Sequence, residues 1–266
     1  MILYIVRHGK PDYETDSLLP EGKHQAEQVS RRFLRSGLDR IYSSPMGRAR
    51  ETAAPTADKL GLPVTVLPWA YELGHETYTH FPDGEFKRLS AIEGTYWMAP
   101  ERRSLPLSEF VQDPAVRETH FWDRYQEISD GLDRLLLENG YRRTEEGFYL
   151  PESPNEDHIA LFCHVAMQRV ILSRLLNLPF QAFNYAFITN YTGVTAFSFP
   201  GRDPSHPFVP RMISYGDVGH MFFDGKEGPI ICEVNSNPHF KTTLECTGIN
   251  MAEHIIRYIK EYLDER

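Results

Sequence analysis

Met1-Ile2-Leu3-Tyr4-Ile5-Val6-Arg7-His8-Gly9 opens the chain, and the step from six apolar residues into Arg-His-Gly decides how the rest is read. A short, continuous apolar run is the pattern of a strand buried on both faces, since neither side of it favours water. The run is far too short to span a membrane. It also lacks the basic residues that lead a secretory signal.

Working outward, the next residues alternate helix with strand. From about Glu21 to Ser36 a helical spacing puts Ala26, Val29, Phe33 and Leu34 on one face, and Gly37 stops it. Arg40–Ser43 reads as a brief second strand. A second helix starts near Met46, aligns Ala49, Ala53, Ala57 and Leu60, and carries Pro55, which predicts a kink. Leu62–Leu67 is a third strand. Regular patterning is lost from about 68 to 114, a stretch rich in aromatic, proline, glycine and charged residues. Such a length inside a compact domain predicts an inserted lid or binding loop. A helix from about Ala115 to Asn139 follows, ended by Asn139-Gly140.

His158-Ile159-Ala160-Leu161-Phe162-Cys163 repeats the opening pattern and runs straight into His164. A helix carrying Val165, Leu172, Leu175 and Leu176 stops before Pro179. Thr192–Phe199 and Phe208–Ser214 read as strands, and a last helix spans about Asn250–Asp264, with Asn250 and Glu253 spaced as a cap. The fold class expected is α/β, a three-layer sandwich with a mostly parallel central sheet flanked by helices. One domain over 1–266 would carry the insertion at about 68–114 and a C-terminal extension at about 222–266. That extension would pack within the subunit or contribute to a homodimer.

Composition bounds the function. Across 266 residues, 41% are hydrophobic and 24% charged, as in ordinary globular proteins. The formal net charge of −9 argues against a nucleic-acid partner and makes any anion site a local basic cluster on an acidic body. Three cysteines, Cys163, Cys232 and Cys246, without a CxxC pair suit free thiols and a cytoplasmic location.

Three features fall at strand ends. Arg7-His8-Gly9 follows the first strand, Ser43-Ser44-Pro45-Met46-Gly47-Arg48-Ala49 the second, and His164 the strand ending at Cys163. Ligands of open α/β sheets bind beyond the carboxyl ends of the strands, so these residues can converge. The helix opening near Met46 would turn its positive end to the same place. Two arginines and two histidines suit a phosphoryl group: guanidinium forks match its oxygens, and an imidazole is a nucleophile. Cations beside His8 would keep it neutral. Such a quartet needs no metal and no cofactor.

Ile5-Val6-Arg7-His8-Gly9, Leu18 with Gly22-Lys23-His24-Gln25-Ala26, and Ile41-Tyr42-Ser43-Ser44-Pro45-Met46-Gly47-Arg48-Ala49-Arg50-Glu51-Thr52-Ala53, completed by His164, resemble the histidine phosphatase superfamily, which includes the cofactor-dependent phosphoglycerate mutases. The resemblance implies a phosphohistidine on His8, with Arg7, Arg48 and His164 binding the phosphoryl group of a small organic phosphate ester. It also implies an acidic proton donor after the third strand. Glu72 in Tyr71-Glu72-Leu73-Gly74 stands there, and Glu76 competes with it. The pattern is broken where Pro11 and Glu14 replace a small hydroxyl residue and an asparagine, and where Val165-Ala166 replace a glycine.

The acid motif, the second-histidine motif and the 68–114 stretch favour a phosphatase over a mutase, and the intact quartet argues against a silent phospho-ligand binder, for which Glu14 and the missing glycine leave room. In the insertion, Tyr78, Phe81, Tyr96 and Trp97 with Lys87, Arg88, Arg102 and Arg103 form either a lid over an organic phosphate or a satellite core with a solvated face. His75, Glu76, His80 and Asp83 offer an unspecific metal-like cluster, and Asp217 with His220 a hydrogen-bonded turn.

Overall fold

A computed structural model of the chain describes residues 1–74, 78–80 and 86–222. The first third holds β1 (Ile2–Arg7), a short pair β2 (Pro11–Asp12) and β3 (Ser17–Leu18), α1 (Pro20–Ser36), β4 (Arg40–Ser43), α2 (Gly47–Leu60) and β5 (Val64–Val66). The middle holds β6 (Tyr78–His80), β7 (Phe86–Arg88), α3 (Gly94–Trp97), α4 (Leu107–Phe110) and α5 (Phe121–Glu138). Then come β8 (Tyr141–Arg143), β9 (Tyr149–Pro151), β10 (His158–Cys163), α6 (Val165–Leu176), α7 (Phe180–Ala186), β11 (Val194–Ser198) and β12 (Arg211–Asp217).

Six of these strands form the central sheet in the order β12-β11-β1-β10-β4-β5. The pairs β1/β10, β10/β4 and β4/β5 are parallel, and β11 and β12 close one side antiparallel. The expected α/β sandwich with a mostly parallel sheet is what forms. Its layers follow from the twofold alternation of a strand. Leu3 and Ile5 of β1, with Ile159, Leu161 and Cys163 of β10, face the core shared with α5 and α6. Val6, Ala160 and Phe162 point the other way, onto Val29 and Phe33 of α1 and Ala53 and Ala57 of α2. Both apolar runs are continuous because both faces are covered.

Details depart from expectation for local reasons. Phe33, fully buried, takes the core slot on α1, so its neighbour Leu34 is 51% exposed. The helix ends as expected, with Gly37 at φ 73° donating its N–H to the Phe33 carbonyl at 2.8 Å. α2 runs on through Pro55 to Leu60. α5 begins at Phe121 rather than near Ala115, because Asp113 organises a turn ahead of it. The Asp113 carboxylate accepts from Ala115 N at 2.9 Å, Tyr96 Oη at 2.6 Å and Arg102 Nε at 3.1 Å.

The 68–114 stretch is more ordered than its sequence suggests. Trp97 and Phe110 are buried in the main core, with Trp97 against Phe110 at 5.4 Å and Phe110 against Phe121 at 5.5 Å between ring centroids. Arg102 lies over Tyr96 and pairs with Asp113. This part of the insertion is therefore core and its surface. Arg88, by contrast, lines the cleft described below. The β8–β9 hairpin and α7 have no counterpart in the sequence reading; their three-residue strands and single aromatic turns are too short to show a period. Phe81, the metal-like cluster, Glu76, Cys232, Cys246 and the last helix with the 223–266 part of the extension lie outside the described residues or side chains. Among the described residues no helix is long and apolar enough to cross a membrane.

The loop after β1 is pinned to α1 by backbone contact. A Cβ on Gly22 would stand 2.2 Å from the Lys10 carbonyl oxygen and 2.9 Å from Lys10 N. Backbone atoms cannot move aside as a flexible side chain can, so Gly22→Ala should destabilise the fold by about 1–3 kcal/mol. Urea unfolding measures this; a wild-type midpoint would contradict the contact.

Candidate active site

Strand register brings the distant motifs together. Arg7 stands opposite Cys163 across β1/β10, and Phe162 opposite Ser43 across β10/β4. The ladder continues one step past the strands, with His8 N donating to Cys163 O and Ser44 N to Phe162 O, both at 2.9 Å. His8, His164 and Ser44 thus leave three adjacent strands at one level, and α2 opens just beyond Ser44 at Gly47.

His8 is 1% exposed, and its ring centroid lies 5.2 Å from that of His164. Its Nδ1 lies 2.7 Å from the Gly9 carbonyl oxygen. A carbonyl only accepts, so Nδ1 carries the hydrogen and Nε2 the lone pair. Burial, then Arg48 and Arg7, push its pKa down from 6.5 to about 4, against the pull of the Gly9 carbonyl. Burial is a larger cause than the cations expected from the sequence.

Arg7 donates NH1 to the Thr189 carbonyl and lies 4.3 Å from the Tyr191 ring centroid. Arg48 is 5% exposed and pairs through NH1 with Asp16, whose other oxygen accepts from Gly47 N at 2.6 Å. His164 is fully buried, and Nε2 meets Ser44 Oγ at 2.7 Å. Burial and the neighbouring cationic groups hold its pKa well below the usual imidazole value. Arg7 Nε, Arg48 Nε and His164 Nδ1 are buried without a hydrogen-bond partner among the described residues. The two Nε–H groups are donors, as is His164 Nδ1 when Ser44 Oγ donates to Nε2, and buried donors are costly unless a ligand accepts from them. An acceptor-rich anion fits all three.

Glu72 caps the helix that follows His164. Its carboxylate accepts from Met167 N at 2.9 Å, Ala166 N at 3.3 Å and its neighbour Leu73 N at 3.0 Å. Burial pushes the carboxyl pKa up, while these N–H groups and Arg48 pull it down. The positive end of α6 favours the ionised form in the same sense. Arg124, 2% exposed, fixes the approach to Glu72 by donating NH2 to the carbonyls of Trp69 at 2.8 Å and Tyr71 at 2.6 Å. A cleft of about 840 Å³ includes Arg7, His8, Arg48 and Glu72 in its lining, with Arg88 and Arg169 further along it.

The departures from the resembled pattern resolve in space. Glu14 is exposed, and the carboxylate of that loop that pairs with Arg48 is Asp16. Val165 opens α6 with His164 at φ −130° ahead of it, so no left-handed glycine is needed there. Asp217 and His220 form the expected turn, with Gly219 N donating to Asp217 Oδ1 at 2.8 Å and His220 Nε2 3.0 Å from Thr192 Oγ1.

Sequence reasoning missed Asp16, Arg124 and Arg169. Two had a signal. Arg124 lies on the helix face of Phe121, Tyr125 and Ile128, and Arg169 on that of Val165, Leu172 and Leu176, so each is a charge at a core-facing spacing. Asp16 had none, since its place depends on a loop with φ 50°.

The chain is similar to known proteins in sequence and in fold. A family model described as the histidine phosphatase superfamily (branch 1) matches residues 3–137. A second, described as a RimK-like ATP-grasp domain, matches residues 212–259. A protein named as a phosphoserine phosphatase from Hydrogenobacter thermophilus is 31% identical over 133 residues, 45% of this chain and 64% of that one. A protein named as a phosphoglycerate mutase, GpmB, from Yersinia pestis is 29% identical over 153 residues, 52% of this chain and 69% of that one. Among solved structures, a phosphoserine phosphatase from Entamoeba histolytica in complex with phosphoserine shares the fold at a TM-score of 0.54 and 20% identity, covering 83% of this chain and 98% of that one. The α-ribazole phosphatase of Shigella flexneri does so at 0.52 and 17%, covering 82% and 97%.

The depressed pKa of His8 has a signed consequence. Its ring should stay neutral until about pH 4, where an NMR titration of labelled histidine would show it taking up a proton. The unfolded chain protonates near 6.5, so this group's contribution to stability is full above that pH and is lost as pH falls from 6.5 towards 4. Titration of His8 between pH 6 and 7 would contradict the burial argument.

Proposed function

Because this chain belongs to the histidine phosphatase superfamily, we propose that it hydrolyses a small organic phosphate monoester through a phosphohistidine on His8. The observation that carries this reading is the bond from His8 Nδ1–H to Gly9 O, which leaves Nε2 as the free lone pair among unpartnered donors. Nε2 attacks phosphorus and the P–O bond to the leaving group breaks. Arg7, Arg48 and His164 take the charge on the equatorial oxygens. These groups supply the charge without calling on a metal.

Glu72, protonated at this stage, gives its proton to the leaving alkoxide. The carboxylate it becomes accepts a proton from water, which attacks phosphorus as the P–N bond breaks. Inorganic phosphate leaves, and neutral His8 and protonated Glu72 are restored. Burial supports the acid form and the α6 N–H groups the base form, so Glu72 can alternate between them. The similarity to GpmB supports a second reading, a mutase in which another hydroxyl takes the phosphoryl group in place of water. The buried free thiol of Cys163 fits a reducing compartment, and we assign the cytoplasm.

With para-nitrophenyl phosphate, His8→Ala should lose about a thousandfold or more in kcat; full activity would sink the nucleophile assignment. Release of inorganic phosphate without an acceptor alcohol separates hydrolase from mutase. Glu72→Gln should cost about 10²–10⁴-fold on alkyl phosphates but far less on the nitrophenyl ester, whose leaving group needs little proton help. Equal losses on both would remove Glu72 from the acid role.

A further inference from the structure

The turn from Thr189 to Gly193, just before β11, holds Arg7 and His8 from the side of β1 away from β10. Gly193 O accepts from Arg7 N at 3.2 Å and Thr192 N donates to His8 O at 3.3 Å, which carries the antiparallel β1/β11 ladder past its last pair, Val6 and Val194. The same turn gives the Thr189 carbonyl to Arg7 NH1 and sets the Tyr191 ring centroid 4.3 Å from that guanidinium. The proposed nucleophile and one phosphate-binding arginine therefore both take their positions from this turn.

Thr192 holds the turn in an unfavourable conformation. Its φ is 55°, in the left-handed region. Among the described residues the other non-glycine positions there are Asp16 and Asn177, whose short polar side chains tolerate it. Thr192 is β-branched, and such a residue stays left-handed only where its surroundings impose it. The hydroxyl is the handle. Thr192 is fully buried, and its Oγ1 lies 2.7 Å from the Tyr191 carbonyl oxygen and 3.0 Å from His220 Nε2. A carbonyl only accepts, so the hydroxyl hydrogen goes to Tyr191 O and His220 donates through Nε2–H. His220 Nδ1 is buried without a hydrogen-bond partner among the described residues, and with the hydrogen on Nε2 no N–H of the ring is left unmet.

His220 is itself fixed. It is 1% exposed and stands on the helical turn Gly219–Phe222 after β12. Asp217 accepts from Gly219 N at 2.8 Å and pairs with Arg32 of α1 at 2.6 Å. Burial, then Arg32, push the imidazole pKa down from 6.5 to about 4 against the pull of Asp217, so the ring is neutral.

We propose that His220 and Thr192 are a positioning pair: the bond from Nε2–H to Oγ1 locks the left-handed turn, and the turn sets the His8 backbone and the Arg7 guanidinium for the phosphoryl group. Neither residue touches the substrate. This rests on the phosphoryl group lying at Arg7 and His8, as the proposed hydrolysis requires.

Two readouts test the pair in folded protein, well below the urea midpoint of each variant: kcat on para-nitrophenyl phosphate and calorimetric affinity for inorganic phosphate. His220→Leu removes the donor and Thr192→Val the acceptor, each with little change of volume. Each should lower kcat about tenfold or more and weaken phosphate binding, and the double variant should lose no more than either one. His220→Gln, whose side-chain amide keeps an N–H donor, should return both readouts to within about threefold of wild type. A space-filling role predicts the reverse order, with Leu tolerated at least as well as Gln. Wild-type values in His220→Leu and Thr192→Val, additive losses in the double variant, or no rescue by Gln overturn the pair. Should the variants fail to fold, two-bond nitrogen–proton NMR of labelled histidine reads the His220 tautomer in the wild type. Hydrogen on Nε2 is expected, and hydrogen on Nδ1 overturns the pair. Absence of wild-type turnover with the pattern of phosphate affinities intact would remove the hydrolase reading and leave the pair. Wild-type turnover with both readouts unchanged in the variants would do the reverse.

Discussion

The parallel register of β4, β10 and β1 is the constraint on which the site depends. Two backbone bonds past the strand ends, His8 N to Cys163 O and Ser44 N to Phe162 O, set three loops level. A slip of one residue would turn every side chain of a strand to the opposite face. Leu161 and Phe162 are each fully buried on opposite faces of β10, so such a slip would exchange both cores at once. The chemistry is thereby fixed by hydrophobic packing some distance from it. No direct bond between the two histidines is needed to hold them 5.2 Å apart.

Electrostatics then works against an acidic background. The chain carries a formal charge of −9, yet Arg7, Arg48 and Arg169 converge on one cleft. Among the described residues, of these three only Arg48 has a carboxylate at ion-pair distance, and Asp16 reaches it from a loop that also occupies Gly47 N at the start of α2. That pairing orients the guanidinium while leaving Nε without an acceptor. The cationic charge is partly withdrawn from water, a condition under which an incoming anion gains more from it than it would in bulk solvent.

The fold was legible where each element is long or bounded by buried residues on both sides. β4 and β10 have the limits read from sequence, because four and six residues of near-continuous burial leave little choice. Arg7, His8, Arg48 and His164 were legible for the same reason: each stands at or just past such an element. Illegible parts depend on side chains acting across the chain. Asp113 delays the start of α5 through Ala115, Tyr96 and Arg102, and no periodicity in the sequence encodes that. The aromatic stretch from Tyr96 to Phe110 looked like lid or satellite core because its rings are spaced irregularly; they pack into the main core through contacts with Phe121 and Phe180.

Glu72 joins these threads. A carboxylate that caps α6 is held by the same helix whose N-cap is His164. The proposed proton donor and the His164 imidazole therefore cannot move independently, and Arg124 restrains the donor's loop through two carbonyls. The replacement of glycine by Val165-Ala166 fits this arrangement. Glu72 needs two N–H groups presented in helical geometry, and residues with ordinary helical φ present them as well as glycine would, with less conformational freedom to lose. The proton affinity of a donor fixed in this way is set by burial against three N–H bonds and Arg48.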